Sequence, residues 1–315
     1  MAVAFDAVGP SSAGTAVAGN TSLTWSHTCS GSNRVLVVSV SIGIIGDTGI
    51  TTSVTYNSIP MTSAGIIHSN NSTDGYVQMF YLIAPATGTN TVAVTTNASV
   101  DIIAGSVSFT GAHQTTPLIN VATNAGSGTT ASVSVTNSSG NMVIDGVCCG
   151  SGFVAGSTQT QRWLNSLNSN TAAGSGAQAT STSTGSVAMS YDMNTDWWGM
   201  VGASVQAAPS VPVVTTGSIT NISGTTATGN GTVVSDSGAT ITERGICWST
   251  SVNPTTSDSK ATAAGTTGSY SAAITGLSNG ATYHARAYAI NANGTAYGAD
   301  IVFQMYNVAV SWLSV

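Results

Sequence analysis

The feature that most limits the fold of this chain is the repeated alternation of short β-forming runs with clusters of Gly, Asn, Ser and Thr. Over roughly the first 208 residues, no stretch of useful length shows the period of an amphipathic helix. About a dozen runs are predicted as strands, among them Thr91–Thr96, Ile102–Thr110, Ser186–Asp192 and Gly199–Gln206. So many strands in one unit predict an all-β, jelly-roll-like two-sheet sandwich. The run Val35–Val40 alternates imperfectly, as expected for a central strand covered on both faces.

A second all-β segment follows a proline-containing spacer. Residues 207–212 read Ala-Ala-Pro-Ser-Val-Pro, and two prolines among small residues favour an extended linker. We therefore predict a boundary near Pro209, an attachment or assembly domain over residues 1–208, a second domain of about seven strands over 209–304, and a C-terminal strand or tail over 305–315.

The segment 209–304 resembles fibronectin type III domains, in the form found as repeats in bacterial surface and phage proteins. The resemblance is carried by Glu243–Ser249, Asn253–Thr256, Ser269-Tyr270 and, within the stretch Leu277–Ala289, by Leu277, Gly280, Tyr283, Ala285, Arg286 and Ala287. It implies a seven-stranded Ig-like sandwich, with a tyrosine corner that ties the turn before the sixth strand to the sheet.

Alternation within Leu277–Ala289 divides its side chains between two faces. The first face carries Tyr283, Ala285, Ala287 and Ala289, and the family pattern turns it toward the core. The opposite face carries His284, Arg286 and Tyr288, which are expected to point outward. Glu243, on a neighbouring strand, could pair with Arg286 if both face outward, but an exposed pair contributes only about 0 to 1 kcal/mol and would set register, with no functional role.

Much of the first domain, residues 20–112, resembles a β-sandwich domain of phage virion proteins and bacterial surface proteins. The resemblance rests on the motifs Arg34–Val40, Val54–Asn57, Pro60–Thr62, Phe80–Asn90 and Gly105–Gly111. It implies no enzymatic motif.

The composition excludes some partners. Charged residues make up 5% of the chain, against about 25% in ordinary globular proteins. With 42% apolar residues and a net charge of −6, the chain has enough apolar surface for a large core. One lysine and four arginines cannot supply the phosphate contacts that nucleic-acid binding requires, so no nucleic-acid partner is expected.

The cysteines and aspartates do not form a recognisable metal motif. The four cysteines, Cys29, Cys148, Cys149 and Cys247, contain no Cys-x-x-Cys pair and are expected to be buried thiols, with Cys148 and Cys149 pointing to opposite faces of a strand. Asp192–Asp196 has the spacing that opens a calcium loop, but Trp197 replaces the glycine and Ala203 replaces the final glutamate. We therefore expect a turn there, with no metal and no cofactor.

Trp197 and Trp198 leave two interpretations open. One ring could form part of a glycan-stacking platform, or one could fill the core while the other covers an edge or interface. The four histidines are scattered, and neither a Ser-His-Asp group nor a carboxylate pair is evident, so no catalytic residue and no enzyme is predicted.

The C-terminal segment 305–315 has no place in a seven-strand sandwich. Alternation puts Tyr306, Val308, Val310 and Trp312 on one side of a strand. Either this strand pairs with the sheet edge of another subunit, or the segment is a flexible or locally packed tail.

The function expected from these patterns is structural. Met1–Asp6 lacks the regions of a secretory signal, and no run of about 20 apolar residues is present, so no membrane partner is expected. We expect a bacteriophage virion protein of the capsid decoration, head fibre or tail type, assembled in the host cytoplasm, whose partners are other virion proteins and its own copies. The alternative is a glycan-binding adhesin that contacts host-surface glycans. The third hypothesis is a hydrolase on the same scaffold.

Overall fold

The structure is a computed structural model that describes residues 2–11, 14–43, 49–69, 75–150, 153–157, 160–167, 173–180 and 185–306, with only the backbone described for 153–157 and 173–180. The chain forms two compact units, Met1–Ala208 and Pro209–Val315. The strands of the first unit are β1 (Ala4–Gly9), β2 (Thr15–Cys29), β3 (Val35–Gly43), β4 (Thr52–Tyr56), β5 (Ile59–Pro60), β6 (Thr62–His68), β7 (Tyr76–Ile83), β8 (Gly88–Thr110), β9 (Leu118–Asn137), β10 (Met142–Cys149), β11 (Phe153–Ser157), β12 (Thr160–Ser166), β13 (Ala173–Thr180) and β14 (Gly185–Val205). Those of the second are β15 (Val213–Ser223), β16 (Thr226–Ser235), β17 (Glu243–Ser249), β18 (Ser259–Thr262), β19 (Gly268–Ile274), β20 (Thr282–Asn291), β21 (Gly294–Tyr297) and β22 (Ile301–Gln304).

The first unit is an antiparallel two-sheet sandwich, which confirms the expected all-β class. Strands β1–β8 form sheet 1 and β9–β14 form sheet 2. Consecutive strands thus stay within one sheet, whereas a jelly roll built from two Greek keys passes the chain between its sheets. One core lies between the two sheets. A second core lies against the outer face of sheet 1, and a third lies against the outer face of sheet 2.

The central strand of sheet 1 confirms the prediction made from its imperfect alternation. All nine residues of β3 are buried. Val35 and Val37 point into the core between the sheets, while Leu36 and Val38 point into the core on the outer face of sheet 1. The adjacent thiols of β10 divide in the same way, because Cys148 joins the core between the sheets and Cys149 joins the outer core of sheet 2.

Two pairs of predicted strands are each a single bent strand. Thr91–Thr96 and Ile102–Thr110 both belong to β8, and Ser186–Asp192 and Gly199–Gln206 meet in β14. One half of each strand contributes to the core between the sheets and the other half curls over the outer core. The corner between the halves is exposed and polar, which makes it resemble a turn in the sequence.

Six of the eight strands of sheet 1 have the same order as the six strands of sheet 2, and β1 and β5 are additional. Sheet 1 follows the path β8-β3-β7-β6 with β2 and β4 also on β8, and sheet 2 follows β14-β10-β13-β12 with β9 and β11 also on β14. The correspondence includes an irregularity, because pairing of β6 with β7 shifts between Ser63 and Gly65, and pairing of β12 with β13 shifts between Gln161 and Trp163. The first unit is therefore a structural duplication, which its two dissimilar sequence halves do not reveal.

The duplicated halves pack through equivalent positions. Ser39 of β3 meets Gly146 of β10, where a Cβ would lie 2.6 Å from the Ser39 Oγ. Gly105 and Val201 are equivalent because they pair with Ser39 and Gly146, respectively.

The two remaining contacts join equivalent positions, but the large residue and the glycine are exchanged between them. The Trp163 ring covers Gly105, where a Cβ would lie 2.4 Å from the ring, whereas Gly65 faces Val201, where the distance would be 3.1 Å. Each contact sets a large side chain against glycine, so the interface is close-packed on both sides of Ser39 and Gly146.

The second unit confirms the fibronectin type III-like sandwich. Strands β15, β16 and β19 form sheet 3, and β18, β17, β20, β21 and β22 form sheet 4. Both β21 and β22 pair with β20, so the expected seventh strand is present in two pieces separated at Gly298–Asp300. The core of this unit includes Trp248, Ala285 and Met305. Met305 was assigned to the C-terminal tail, but it is buried and its N–H donates to the Ala281 carbonyl.

Candidate functional site

The predicted aromatic pair lies on β14 and divides between surface and core. Trp197 is 39% exposed, whereas Trp198 is 6% exposed and packs into the outer core of sheet 2. The Trp198 indole N–H has no hydrogen-bond partner among the described residues. Trp197 is thus the one member of the pair that a ligand can reach.

The Asp192–Asp196 segment is not the turn that the sequence indicated. It lies inside the continuous strand β14, where pairing with β9 shifts between these two aspartates and forms a bulge. The Asp196 carboxylate accepts the Trp197 N–H at 2.8 Å. Within the described ranges, no group of three or more His, Cys, Asp or Glu side chains is placed to hold a metal ion.

A buried polar chain links β1, β2 and β8 in the first unit. The two imidazole nitrogens of His27 lie 2.8 Å from the Ser106 Oγ and 2.9 Å from the Ser108 Oγ. Ser108 donates its hydroxyl proton to Asp6 at 2.7 Å, and the Trp25 indole donates to Ser106 at 2.9 Å. Because Ser108 donates its only hydroxyl proton to Asp6, it must accept from His27, which assigns the imidazole proton to Nε2 and leaves Nδ1 as the acceptor toward Ser106.

Burial controls the protonation of this chain. It lowers the pKa of His27 to about 4, with partial opposition from the Asp6 carboxylate, so the imidazole is neutral near pH 7. Burial acts in the opposite direction on Asp6, but hydrogen bonds from Ser30 and Ser108, helped by His27, leave the pKa of that carboxyl below its usual value.

The chain contains the residue types of a hydrolytic triad in a different order. In a Ser-His-Asp triad the carboxylate bonds directly to the imidazole, whereas here Ser108 stands between His27 and Asp6. Ser106 and Ser108 are both fully buried, so no substrate can approach either hydroxyl. The arrangement fastens three strands together. Its members are far apart in sequence, and the sequence clue was serine at positions 106 and 108 of the otherwise apolar run Ile102–Phe109.

The face of β20 that was expected to point outward is instead covered. Tyr288 is fully buried, and its hydroxyl donates to Glu243 at 2.7 Å. Burial, followed by the effect of the Glu243 carboxylate, raises the pKa of Tyr288. The Arg286 Nε donates to the Gly298 carbonyl at 2.9 Å, and its guanidinium lies over the Tyr297 ring.

The cover is the segment between β17 and β18. The Tyr297 hydroxyl accepts the Thr256 N–H at 3.0 Å, and Asp300 accepts the Asn253 N–H at 2.8 Å. Asp300 also pairs with His284 at 2.9 Å. The face thus holds a folded-back loop in place and is not free for a ligand.

Glu243 pairs with Lys260, and the conditional pairing with Arg286 is not formed. Its carboxylate lies 2.7 Å from the Lys260 Nζ, and bonds from Lys260 and Tyr288 lower the pKa of Glu243. Register explains the difference: Arg286 is opposite Cys247, four residues along β17 from Glu243.

The described part of the C-terminal segment leads to a groove. Tyr306 is 73% exposed and lines a groove with residues of β15 and β22. The other three residues of the predicted intersubunit strand, Val308, Val310 and Trp312, lie outside the described residues. No described helix is long and apolar enough to cross a bilayer.

Comparison with known proteins finds few similarities. No protein-family model matches the chain. No curated protein matches it.

Solved structures give weak matches. A structure described as a myokine is 19% identical, covers 32% of this chain and 100% of its own, and has a TM-score of 0.24. A crystal structure of titin domains is 11% identical over 98% of this chain and 100% of its own, with a TM-score of 0.21. The FN1-FN3 domains of chicken CNTN1 are 11% identical over 97% of this chain and 98% of theirs, with a TM-score of 0.25. The fold assignment rests on the strand order described above.

Proposed function

We propose that the chain is a non-enzymatic structural protein of a bacteriophage virion, serving as a capsid decoration, head fibre or tail-associated protein. The first unit docks on the particle, through other virion proteins or its own copies, and the second unit is displayed. Assembly takes place in the host cytoplasm.

The observation that carries the proposal is the use of polar side chains inside the first unit. Asp6, His27, Ser106 and Ser108 are tied to one another across three strands, and the two serines are closed to solvent. Groups that could perform chemistry therefore stabilise the sandwich, as expected of a protein whose role is mechanical. The resemblance of residues 20–112 to a virion and surface β-sandwich agrees with this role.

Particles that lack the protein provide the test. Purified full-length chain is mixed with particles from a phage deleted for its gene, and the mixture is sedimented through a density gradient. Saturable co-sedimentation is expected, with an unrelated β-sandwich protein of similar charge left at the top. Failure to co-sediment at any protein concentration would reject particle attachment.

A second function, glycan binding, is favoured by Trp197. Its side chain is 39% exposed, and the neighbouring Asp196 carboxylate accepts the Trp197 backbone N–H at 2.8 Å. An exposed aromatic face can stack on a sugar ring while nearby polar groups accept hydrogen bonds from sugar hydroxyls. We expect a glycan array to give a signal that Trp197→Ala abolishes and that Val121→Ala, at a similarly exposed residue, leaves intact. An array without signal would remove this function.

A further inference from the structure

The second unit has an open apolar groove between the edges of its two sheets. The groove encloses about 660 Å³ and is lined by Thr216, Gly217, Ser218, Ile219 and Ile222 on one side and by Ile301, Val302, Phe303, Gln304 and Tyr306 on the other. Among the described strands, β15 pairs only with β16 and β22 pairs only with β20. Each wall therefore presents a strand edge with an unpaired row of backbone groups.

The edges of this groove lack two of the usual protections against strand addition. Natural edge strands carry charges, prolines or bulges that prevent another strand from pairing. The groove lining contains no charged residue and no proline, although the pairing of β15 with β16 shifts in register between Thr216 and Ile219 and between Thr220 and Ser223. Val302 is 60% exposed and Tyr306 is 73% exposed. The surface therefore suits an added apolar strand.

The segment that follows Tyr306 has the pattern of such a strand. Residues 307–315 read Asn-Val-Ala-Val-Ser-Trp-Leu-Ser-Val and contain no charge, glycine or proline. Val308, Val310 and Trp312 fall on one side of an extended chain. Fully extended, nine residues reach about 30 Å, which is longer than the groove wall that β22 provides.

Chain direction argues against insertion of a tail into its own groove. A Cβ on Gly294 would lie 3.2 Å from Val211 and one on Gly298 would lie 2.4 Å from the Thr216 nitrogen, so β15 and the β21–β22 strand run in the same direction. The chain leaves the groove at Tyr306, and to re-enter it must reverse at once.

The residues at that point do not favour a reversal. Met305 is fixed in the core, so the turn would fall on Tyr306 and Asn307. Two-residue hairpin turns prefer Asn-Gly, or glycine in the first position, because they need positive φ. A tail from another molecule is free of this constraint.

We propose that residues 307–315 of a second copy of this chain add as a strand in the groove between β15 and β22. The partner is thus the protein itself, and the contact joins the tail of one molecule to the second unit of another. A reciprocal exchange gives a closed dimer, and one-way insertion gives a ring or fibre. The proposal is independent of particle attachment, because it concerns only contacts between copies.

The first experiment compares molar mass by light scattering at matched concentrations. The full chain is expected to be a dimer or larger, and both deletion of residues 307–315 and Val302→Lys are expected to give a monomer. Val234→Lys is the matched control, because Val234 is 59% exposed in the same unit but does not line the groove. A monomeric full chain, or an assembly unchanged by either the deletion or Val302→Lys, overturns the proposal.

The second experiment keeps the test valid if a variant folds poorly. A peptide of residues 305–315 is added to the unmodified full chain and should convert the assembly to monomers. The same peptide should bind the tail-deleted chain in a 1:1 ratio and bind Val302→Lys at least tenfold more weakly. A monomeric full chain that excludes the peptide, while the tail-deleted chain binds it, would show that each groove holds its own tail and would overturn the second-copy assignment.

Discussion

Replacing Trp163 with alanine removes the bulkiest fully buried side chain among the described residues, which packs between the two halves of the first unit. The side chain is 1% exposed and its ring lies directly on Gly105 of the opposing sheet. Removal of a buried tryptophan costs about 3 to 5 kcal/mol, a large share of the roughly 5 to 15 kcal/mol that stabilises a domain. With a urea slope of about 2 kcal/mol/M, the midpoint of the first-unit transition should fall by about 2 M.

The reciprocal change at Gly105 tests whether this contact is as tight as the structure requires. A Cβ at Gly105 would lie 2.4 to 2.5 Å from three ring atoms of Trp163, so Gly105→Ala should cost about 1 to 3 kcal/mol. With Trp163→Ala present the space is open, and alanine should be neutral or should stabilise the strand by about 0.5 to 1 kcal/mol.

Urea unfolding of the full chain, followed by circular dichroism, gives the four stabilities of this double-mutant cycle. Trp197→Ala is the control for loss of an indole and should cost clearly less than Trp163→Ala, because Trp197 is 39% exposed whereas Trp163 is 1% exposed. If the effects at positions 105 and 163 add within about 0.5 kcal/mol, the two residues do not contact each other and the packing described for the duplicated halves is wrong.

Three further outcomes are expected. The pKa of His27 falls from 6.5 to about 4 on folding, so the unfolded state binds more protons between those values. Stability should be full above about pH 6.5 and should decline by up to about 3 kcal/mol as the pH falls to 4. His27→Gln should remove that part of the decline, as measured by urea midpoints at about pH 7 and about pH 4.5, and an unchanged decline would contradict the assignment. Tyr283→Phe should cost the second unit about 1 kcal/mol in thermal unfolding, because the Tyr283 hydroxyl accepts the Ser278 N–H at 3.1 Å, and a zero effect would argue against the tyrosine corner. Arg244→Met should lower the stability of the second unit by about 1 to 3 kcal/mol in the same assay, because the guanidinium donates to four backbone carbonyls. A cost below about 0.5 kcal/mol would mean that water replaces those hydrogen bonds.

Local patterns predicted the features that depend on strand period alone. Alternation placed Cys148 and Cys149 in different cores, as the structure confirms. The imperfect alternation of Val35–Val40 predicted a strand buried on both faces. The motif around Tyr283 predicted the tyrosine corner, and its hydroxyl contacts the turn at Ser278.

Patterns failed where distant segments determine the outcome. Alternation puts Tyr288 on the face of β20 opposite the core, so its side chain was expected to be exposed. Tyr288 is instead buried, because the loop that contains Asn253 and Thr256 folds back over that face. The chain of bonds from Asp6 through Ser108 to His27 joins residues separated by as many as 102 positions. No local period reveals such pairings, because they depend on which strands become neighbours.

The candidate site was predictable only in part. The sequence required Trp197 and Trp198 to point in opposite directions but could not say which one is exposed. The bend and bulge in β14 decide this, because they turn Trp198 inward against Gly126 and leave Trp197 at the surface. The groove lined by Val302 and Tyr306 was not foreseen, since it depends on the edges of two separate sheets.

The most direct test of the structural role is quantitative mass spectrometry of phage particles purified on a density gradient from lysates of the natural host. The account predicts that peptides from both units are found in the particle band at a constant ratio to the major capsid or tail protein, and that the ratio survives a high-salt wash. Recovery of the protein only in the soluble lysate or the cell envelope would contradict a role in the virion.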